Sequence, residues 1–401
     1  MNLDLIFLVI FGIVLYIFFK LNRSKFEVQG KIIALYKTKG GVKVMDKLSK
    51  VPKFIMHPLA FISILVGFIG MGMIFYILIG GTISLLTVPG AQPTVAPVLP
   101  GVSIPGVPNL SFFHWIISIL IVATIHEFSH GILARYFLIK VKSTGFLIMG
   151  PVLGAFVEPD EKQLAKKSRF AQLSVFSAGP FSNILTGFIF LLILSLIIAP
   201  AISGMTESLG VSVVGTDKGF PAELAGLTSG EKILSIDSKQ ISNVDDFTKI
   251  LQLKKPGDKI SIKTDKKTYD VTLTKNPTDS NKGYMGIRVI ATDTKIKDSV
   301  ITKYGTFWPN ALKWIERLFY WLFLISTGIA LFNLLPLGPV DGGRMFLTGL
   351  SFIFKDPKIQ KRVWGTISIF VLLLIFINLW PFISKLLGFI FSPLLSLLSL
   401  L

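Results

Sequence analysis

The chain has 401 residues, 51% of them hydrophobic, with 34 phenylalanines and no cysteine. Several apolar runs of membrane-spanning length exclude an ordinary soluble protein, and the lack of cysteine excludes thiolate zinc ligands, cysteine nucleophiles and disulfides. The formal charge of +18 comes from Lys and Arg spread over loops rather than gathered with aromatics on one face, so it reports membrane topology and argues against a nucleic-acid partner.

The first apolar run, about Leu3 to Phe19, carries Asp4 near its start, a basic cluster behind it and no small-residue cleavage site, so it reads as a retained anchor. Residues 20 to 53 hold ten Lys/Arg, among them Lys31, against only Glu27 and Asp46, which makes this segment cytoplasmic by the positive-inside rule. The run Phe54 to Val88 crosses outward and exceeds the length of one perpendicular span, predicting tilt or a break near Gly80-Gly81. A linker from Pro89 to Asn109, with six prolines and no charge, is expected to lie extended. Ser111 to Leu138 then runs inward, ending at Arg135, Lys140 and Lys142.

Residues 143 to 158 are apolar but punctuated by Gly145, Gly150, Pro151 and Gly154, a pattern that predicts a membrane-associated β-hairpin turning near Gly150-Pro151. Backbone of that kind is tolerated near lipid only where protein or a watery cavity satisfies it, so the hairpin is expected to line a site. A fourth span, about Leu173 to Ile198, contains Ala178-Gly179-Pro180 and Asn183, small and polar choices that favour close helix contact. Between about Met205 and Asp298 there are 15 Lys/Arg and 13 Asp/Glu, so a soluble α+β domain follows, placed outside by the count of crossings. Two more spans, about Ala311 to Leu335 and Val363 to Leu387, give about six in all. The apolar tail after Pro381 reads as a helix extension or an interfacial segment.

His126-Glu127-Phe128-Ser129-His130 lies inside the third span. Imidazoles at i and i+4 share one helix face and can hold one Zn²⁺, while the Glu between them can take a proton from an activated water. Ionisable groups at membrane depth are costly and mark functional sites. A catalytic zinc needs a third protein ligand, and Asn333-Leu-Leu-Pro336-Leu-Gly338-Pro339-Val-Asp341-Gly342-Gly343-Arg344 ends the fifth span on the same membrane side. The prolines and Gly338 should unwind that helix around Asp341. His57 and His114 begin apolar runs, where the interface keeps amphipathic rings, and are not candidate ligands.

The patterns His126-Glu127-x-x-His130, Ala178-Gly179-Pro180-x-x-Asn183 and Asn333-x-x-Pro336-x-x-x-x-Asp341-Gly342, in that order on separate spans, resemble the site-2 protease family of intramembrane zinc metalloproteases, peptidase family M50. Gly219-Phe-Pro221-Ala222-Glu-Leu-Ala225-Gly226-Leu227 resembles the start of a PDZ domain. The resemblance implies one Zn²⁺ held by His126, His130 and Asp341, Glu127 as general base, and substrate contact at Asn183, Asn333 and the hairpin glycines Gly150 and Gly154. It departs from many members at Gly338, where they carry proline.

The expected protein is therefore a polytopic α-helical membrane protein. Residues 1–110 hold two spans, a basic loop and the Pro-rich linker, 111–204 and 301–401 the two parts of a catalytic membrane core, and 205–300 an extracytoplasmic PDZ-like domain. Its expected activity is zinc-dependent cleavage of a transmembrane segment in a membrane-anchored regulatory protein. The site would face the cytoplasm, and a peptide or substrate ectodomain would meet the PDZ-like domain. A catalytically silent scaffold would have lost a zinc ligand, and a metal transporter has no need of a general-base Glu beside a single triad.

Overall fold

The computed structural model describes residues 3–30, 32–102, 107–208, 210–277, 279–291 and 294–398; Lys31, linker residues 103–106 and the last three residues lie outside it. The chain divides into two compact units, residues 1–194 with 317–401, and residues 195–316. Six helices are long and apolar enough to cross a membrane, among the described residues.

In the first unit the order is α1 (Leu3–Leu21), β1 (Phe26–Gln29), β2 (Ile33–Thr38), α2 (Val42–Leu48), α3 (Lys53–Thr87), α4 (Phe112–Tyr136), β3 (Val141–Met149), β4 (Val152–Pro159), α5 (Glu161–Ala165) and α6 (Arg169–Ile193). The expected hairpin is present as β3 and β4, turning at Gly150 with φ +58°, but it is not alone. Strands β1 and β2 add to it in an antiparallel sheet of order β1-β2-β3-β4, with Leu35 opposite Leu147 and Leu147 opposite Gly154. The basic segment after α1 thus corrects the reading of a lone hairpin: its Ile33 to Thr38 stretch supplies the β-branched and aromatic residues that a strand needs and lies next to a strand with an open edge.

Helix α3 removes one of the two alternatives expected for this run, the break, since it runs unbroken through Gly80-Gly81 for 35 residues. At about 1.5 Å per residue it is some 50 Å long, well beyond a hydrocarbon core of about 30 Å, the excess for which tilt was expected. Gly81 is there for packing: a Cβ would collide with Thr94 of the Pro-rich linker. Asn378 pins that linker from the other side, accepting the Thr94 N–H at 2.9 Å and donating to Thr82 Oγ1 at 2.6 Å. Such pairs satisfy polar groups that lipid would leave unpaired.

The basic segment after α1 also packs on α4. Met45 of α2 is fully buried and occupies the gap left by Gly131, where a Cβ would strike its sulfur. A Cβ on Gly41 would lie 2.7 Å from the Phe128 ring, and Asp46 pairs with Arg135. At the other end, Asp4 Oδ1 of α1 accepts the Phe112 N–H at 2.9 Å, one of the donors that a helix N-terminus leaves unpaired.

The second unit opens with a π-helical turn, Leu194–Ile198, and continues with α7 (Ala199–Met205), β5 (Thr206–Ser208), β6 (Val211–Thr216), α8 (Pro221–Leu224), β7 (Lys232–Ile236), β8 (Lys239–Gln240), α9 (Val244–Gln252), β9 (Lys259–Thr264), β10 (Thr268–Thr272), β11 (Thr274–Lys275), β12 (Gly283–Tyr284), β13 (Ile287–Ala291), β14 (Thr294–Ile296) and α10 (Asp298–Tyr304). Its main sheet runs β10-β9-β7-β6-β13, while β5 pairs with β14 and ties the two ends of the unit together. Ile233, Ile236, Ile260, Ile262 and Phe247 fill its core. Glu231 is buried beside that core and takes hydrogen bonds from Thr228, Thr264 and Tyr269. Burial alone would raise its pKa, but these bonds outweigh it and hold the carboxyl down at about 2.

The chain returns through α11 (Phe307–Asn333), α12 (Asp341–Ile353) and α13 (Pro357–Leu398). The last helix continues through Pro381, so the described part of the tail is a helix extension.

Candidate metal centre

The site lies where α4, α6, β4 and the turn between α11 and α12 converge. His126 and His130 project from one face of α4, one turn apart, as their spacing requires. Helix α11 ends at Asn333 and α12 begins at Asp341, so residues 334–340 form the unwound stretch that the prolines and Gly338 predict. The turn is held tightly. A Cβ on Gly342 would collide with the carbonyl oxygens of Leu334 and Leu335, one on Gly343 would meet that of Leu337, and Trp364 Nε1 of α13 donates to the Gly343 carbonyl at 3.0 Å. Asp341 thereby presents its carboxylate at the first turn of α12, where the helix dipole favours a negative charge.

The three side chains meet. Asp341 Oδ2 lies 3.1 Å from His126 Nε2 and 3.2 Å from His130 Nε2, and the two Nε2 atoms are 3.1 Å apart. Ligands at about 2.0–2.1 Å from a tetrahedral zinc stand about 3.3–3.4 Å from one another, so the donor set fits that ion closely. The wall behind it fits as well: Gly179 of α6 faces both rings, and a Cβ there would collide with both Nε2 atoms. The room in which the ligand atoms converge exists because residue 179 has no side chain.

Each ring is also held at its far nitrogen. His130 Nδ1 lies 2.6 Å from the Val175 carbonyl oxygen, and His126 Nδ1 lies 3.1 Å from Asn183 Nδ2. Glu127 Oε2 accepts the Val157 N–H at 2.9 Å, which ties the acid to the outer edge of the sheet. Strand β4 is that edge, and the Val157 N–H points at the site rather than at β3.

These groups border a cavity of about 570 Å³ lined by His126, Glu127, His130, Asn333, Asp341, Phe156 and Val157, with Lys142, Glu158, Glu161 and Arg344 supplying charge. Arg344 pairs with Glu161 at 3.1 Å, linking α12 to α5. Gln29, Ile33 and Leu35 also line it. The sequence reading missed these three because nothing local ties the N-terminal loop to a site more than ninety residues away.

The expected substrate contacts are dispersed. Asn333 borders the cavity, its Nδ2 donating to the Ile329 carbonyl at 3.0 Å. Asn183 does not: it is fully buried, its amide turned to His126 because α6 packs face to face on α4. Gly150 lies at the hairpin tip in an apolar groove with Gly12 and Ile13 of α1, and Gly154 packs under Leu147. Their neighbours Phe156 and Val157, further along β4, reach the cavity instead. His57 stacks on Phe170 and His114 sits by Ser111, both apart from the triad.

The pattern of peptidase family M50 matches residues 114–377, more than half of the chain. An uncharacterized protein of Methanocaldococcus jannaschii is 34% identical over 85% of either chain. Zinc metalloprotease RasP of Shouchella clausii is 25% identical, covering 67% of this chain and 71% of its own, and a putative zinc metalloprotease of Clostridium perfringens is 24% identical, covering 62% and 86%. Among solved structures, the PDZ domain of an SdrC-like protein from Listeria monocytogenes is similar at 25% identity, covering 20% of this chain and 88% of that one, with a TM-score of 0.18.

Proposed function

The chain belongs to peptidase family M50 and is a zinc-dependent metalloendopeptidase with multiple membrane spans; we propose that it cleaves peptide bonds within a transmembrane segment of membrane-anchored regulatory proteins. The observation that carries this reading is the His126-His130-Asp341 triad beside Glu127 in a cavity bounded by spanning helices. Zinc supplies the Lewis acidity that acidifies water and polarises a peptide carbonyl.

The chain's own residues do the rest. His126, His130 and Asp341 would hold the ion. Glu127 takes the proton of the attacking water and passes it to the departing amine. Its bond to Val157 keeps the carboxylate over the edge of the sheet, where the scissile peptide would arrive. A helical substrate has its amides paired internally and must unwind before attack. Strand β4 offers a replacement. Its outward backbone groups flanking Val157, whose own N–H is taken by Glu127, pair with an extended peptide by strand addition, and the charged rim at Lys142, Glu158, Glu161 and Arg344 admits water. The scaffold alternative requires a missing ligand, and all three are present.

The ten basic residues between 20 and 53 support a cytoplasmic loop, hence an active site towards the cytoplasm and residues 205–300 outside. A single cysteine introduced at Lys282, in a chain that has none, should be labelled only from the outer side; labelling only from the cytoplasm would invert the topology. The inserted domain, a PDZ-like module by its sequence motif, governs access rather than chemistry. Purified protein should cut single-span substrates inside the span. Replacing residues 206–298 with a flexible linker should preserve cleavage of trimmed substrates while changing the ratio between trimmed and full-length ones. Cleavage confined to exposed loops would overturn the function, and an unchanged ratio would overturn the gating role.

A further inference from the structure

The G-x-x-x-N spacing of α6 has a second half that the zinc ligands leave unexplained. Gly179 and Asn183 are one turn apart and face α4 together. Gly179 clears the Nε2 side of the histidines, whereas Asn183 reaches round to the Nδ1 side of His126, 3.1 Å away. Asn183 is fully buried, and its Oδ1 is one of three buried side-chain polar atoms without a partner among the described residues. Leaving such an oxygen unpaired is costly, so its placement demands a reason.

The two histidines differ in what holds them. His130 Nδ1 faces the Val175 carbonyl oxygen, which can only accept, so the proton of that ring sits on Nδ1 and Nε2 keeps its lone pair. His126 faces an amide instead. With Nδ2 towards the ring, the amide donates, and the ring proton is driven to Nε2, the atom that converges on Asp341 and His130. An imidazole protonated there cannot ligate through that nitrogen. Turning the amide over exchanges Oδ1 for Nδ2 at nearly the same position, which brings the oxygen to the His126 Nδ1 proton as its acceptor and moves the amino group to the place that the oxygen held. The helix carrying it is fixed for this, since Ser326 of α11 donates to the Asn183 carbonyl at 2.8 Å.

We propose that Asn183 is a positioning residue: its side-chain oxygen accepts the His126 Nδ1 proton and so fixes that ring as an Nε2 ligand, matching what the Val175 carbonyl does for His130. The inference rests on the reading of His126 as a zinc ligand. A buried neutral amide suits the place better than a carboxylate would, because it brings no charge to membrane depth.

The test measures zinc affinity of the purified full chain by competition with a chromophoric chelator, in wild type, Asn183→Ala, Asn183→Asp and His126→Ala. Loss of the acceptor in Asn183→Ala should weaken zinc binding about 10–100-fold. Asn183→Asp keeps both the shape and an acceptor oxygen and should hold zinc within a few-fold of wild type, although the buried charge that it brings would make it the harsher change for a residue that only joins two helices. Wild-type affinity in Asn183→Ala, or equal losses in both variants, would overturn the proposal. Tight zinc retention in His126→Ala would instead overturn the ligand reading beneath it. A second measurement needs no variant at position 183: in histidine-¹⁵N spectra of zinc-loaded wild type, the His126 proton belongs on Nδ1, and a proton on Nε2 would refute the assignment.

Discussion

Glu127→Gln is expected to lower cleavage of a single-span substrate by about 10²–10⁴-fold, the usual worth of a general base, while zinc content stays near one ion per chain. Glutamine keeps the shape of the side chain and an oxygen that can still accept the Val157 N–H, the 2.9 Å bond that holds residue 127 at the edge of β4. It removes only the capacity to take a proton. The two readouts together carry the argument. Cleavage at the wild-type rate would exclude Glu127 as the base, and loss of zinc with activity would mean that the residue helps to build the site rather than to run it.

Gly179→Ala should abolish zinc binding without altering a ligand. The added methyl group would overlap the Nε2 atoms of both His126 and His130, and neither ring can swing aside, because each is held at Nδ1 by α6 itself, through Asn183 and the Val175 carbonyl. Helix α6 or α4 would have to shift, an overpacking cost of about 1–3 kcal/mol, and a ligand set that must converge within a few tenths of an ångström would not survive it. Gly72→Ala, in the membrane-facing part of α3 with nothing within 4 Å of its Cβ position, is the matched control and should leave zinc content unchanged. Stoichiometric zinc in Gly179→Ala, measured by elemental analysis, would show that the helices yield and that the absence of a side chain at 179 is not what makes the site.

The sequence by itself determined the number of spans, because twenty or so apolar residues in a row have no other stable use. It also determined the two histidines and the acid between them, because a helical period puts i and i+4 on one face whatever surrounds them. It placed Asp341 at an unwound helix end, since Pro336 and Pro339 cannot continue a helix. These readings rest on local rules that act within a few residues.

Only the tertiary structure decided what lies across the chain from them. The pairing of Leu35 with Leu147 joins segments far apart in sequence, and a strand's alternation does not say which open edge it will find; the basic residues around it recorded topology and hid the strand. Gly80-Gly81 read as the place for a break, if tilt did not serve, and Gly81 is a seat for Thr94, while Asn183 read as a substrate contact and is buried against His126. In each case the residue type announces a requirement, a missing side chain or an amide at membrane depth, whereas the partner that explains it is chosen by how the helices pack.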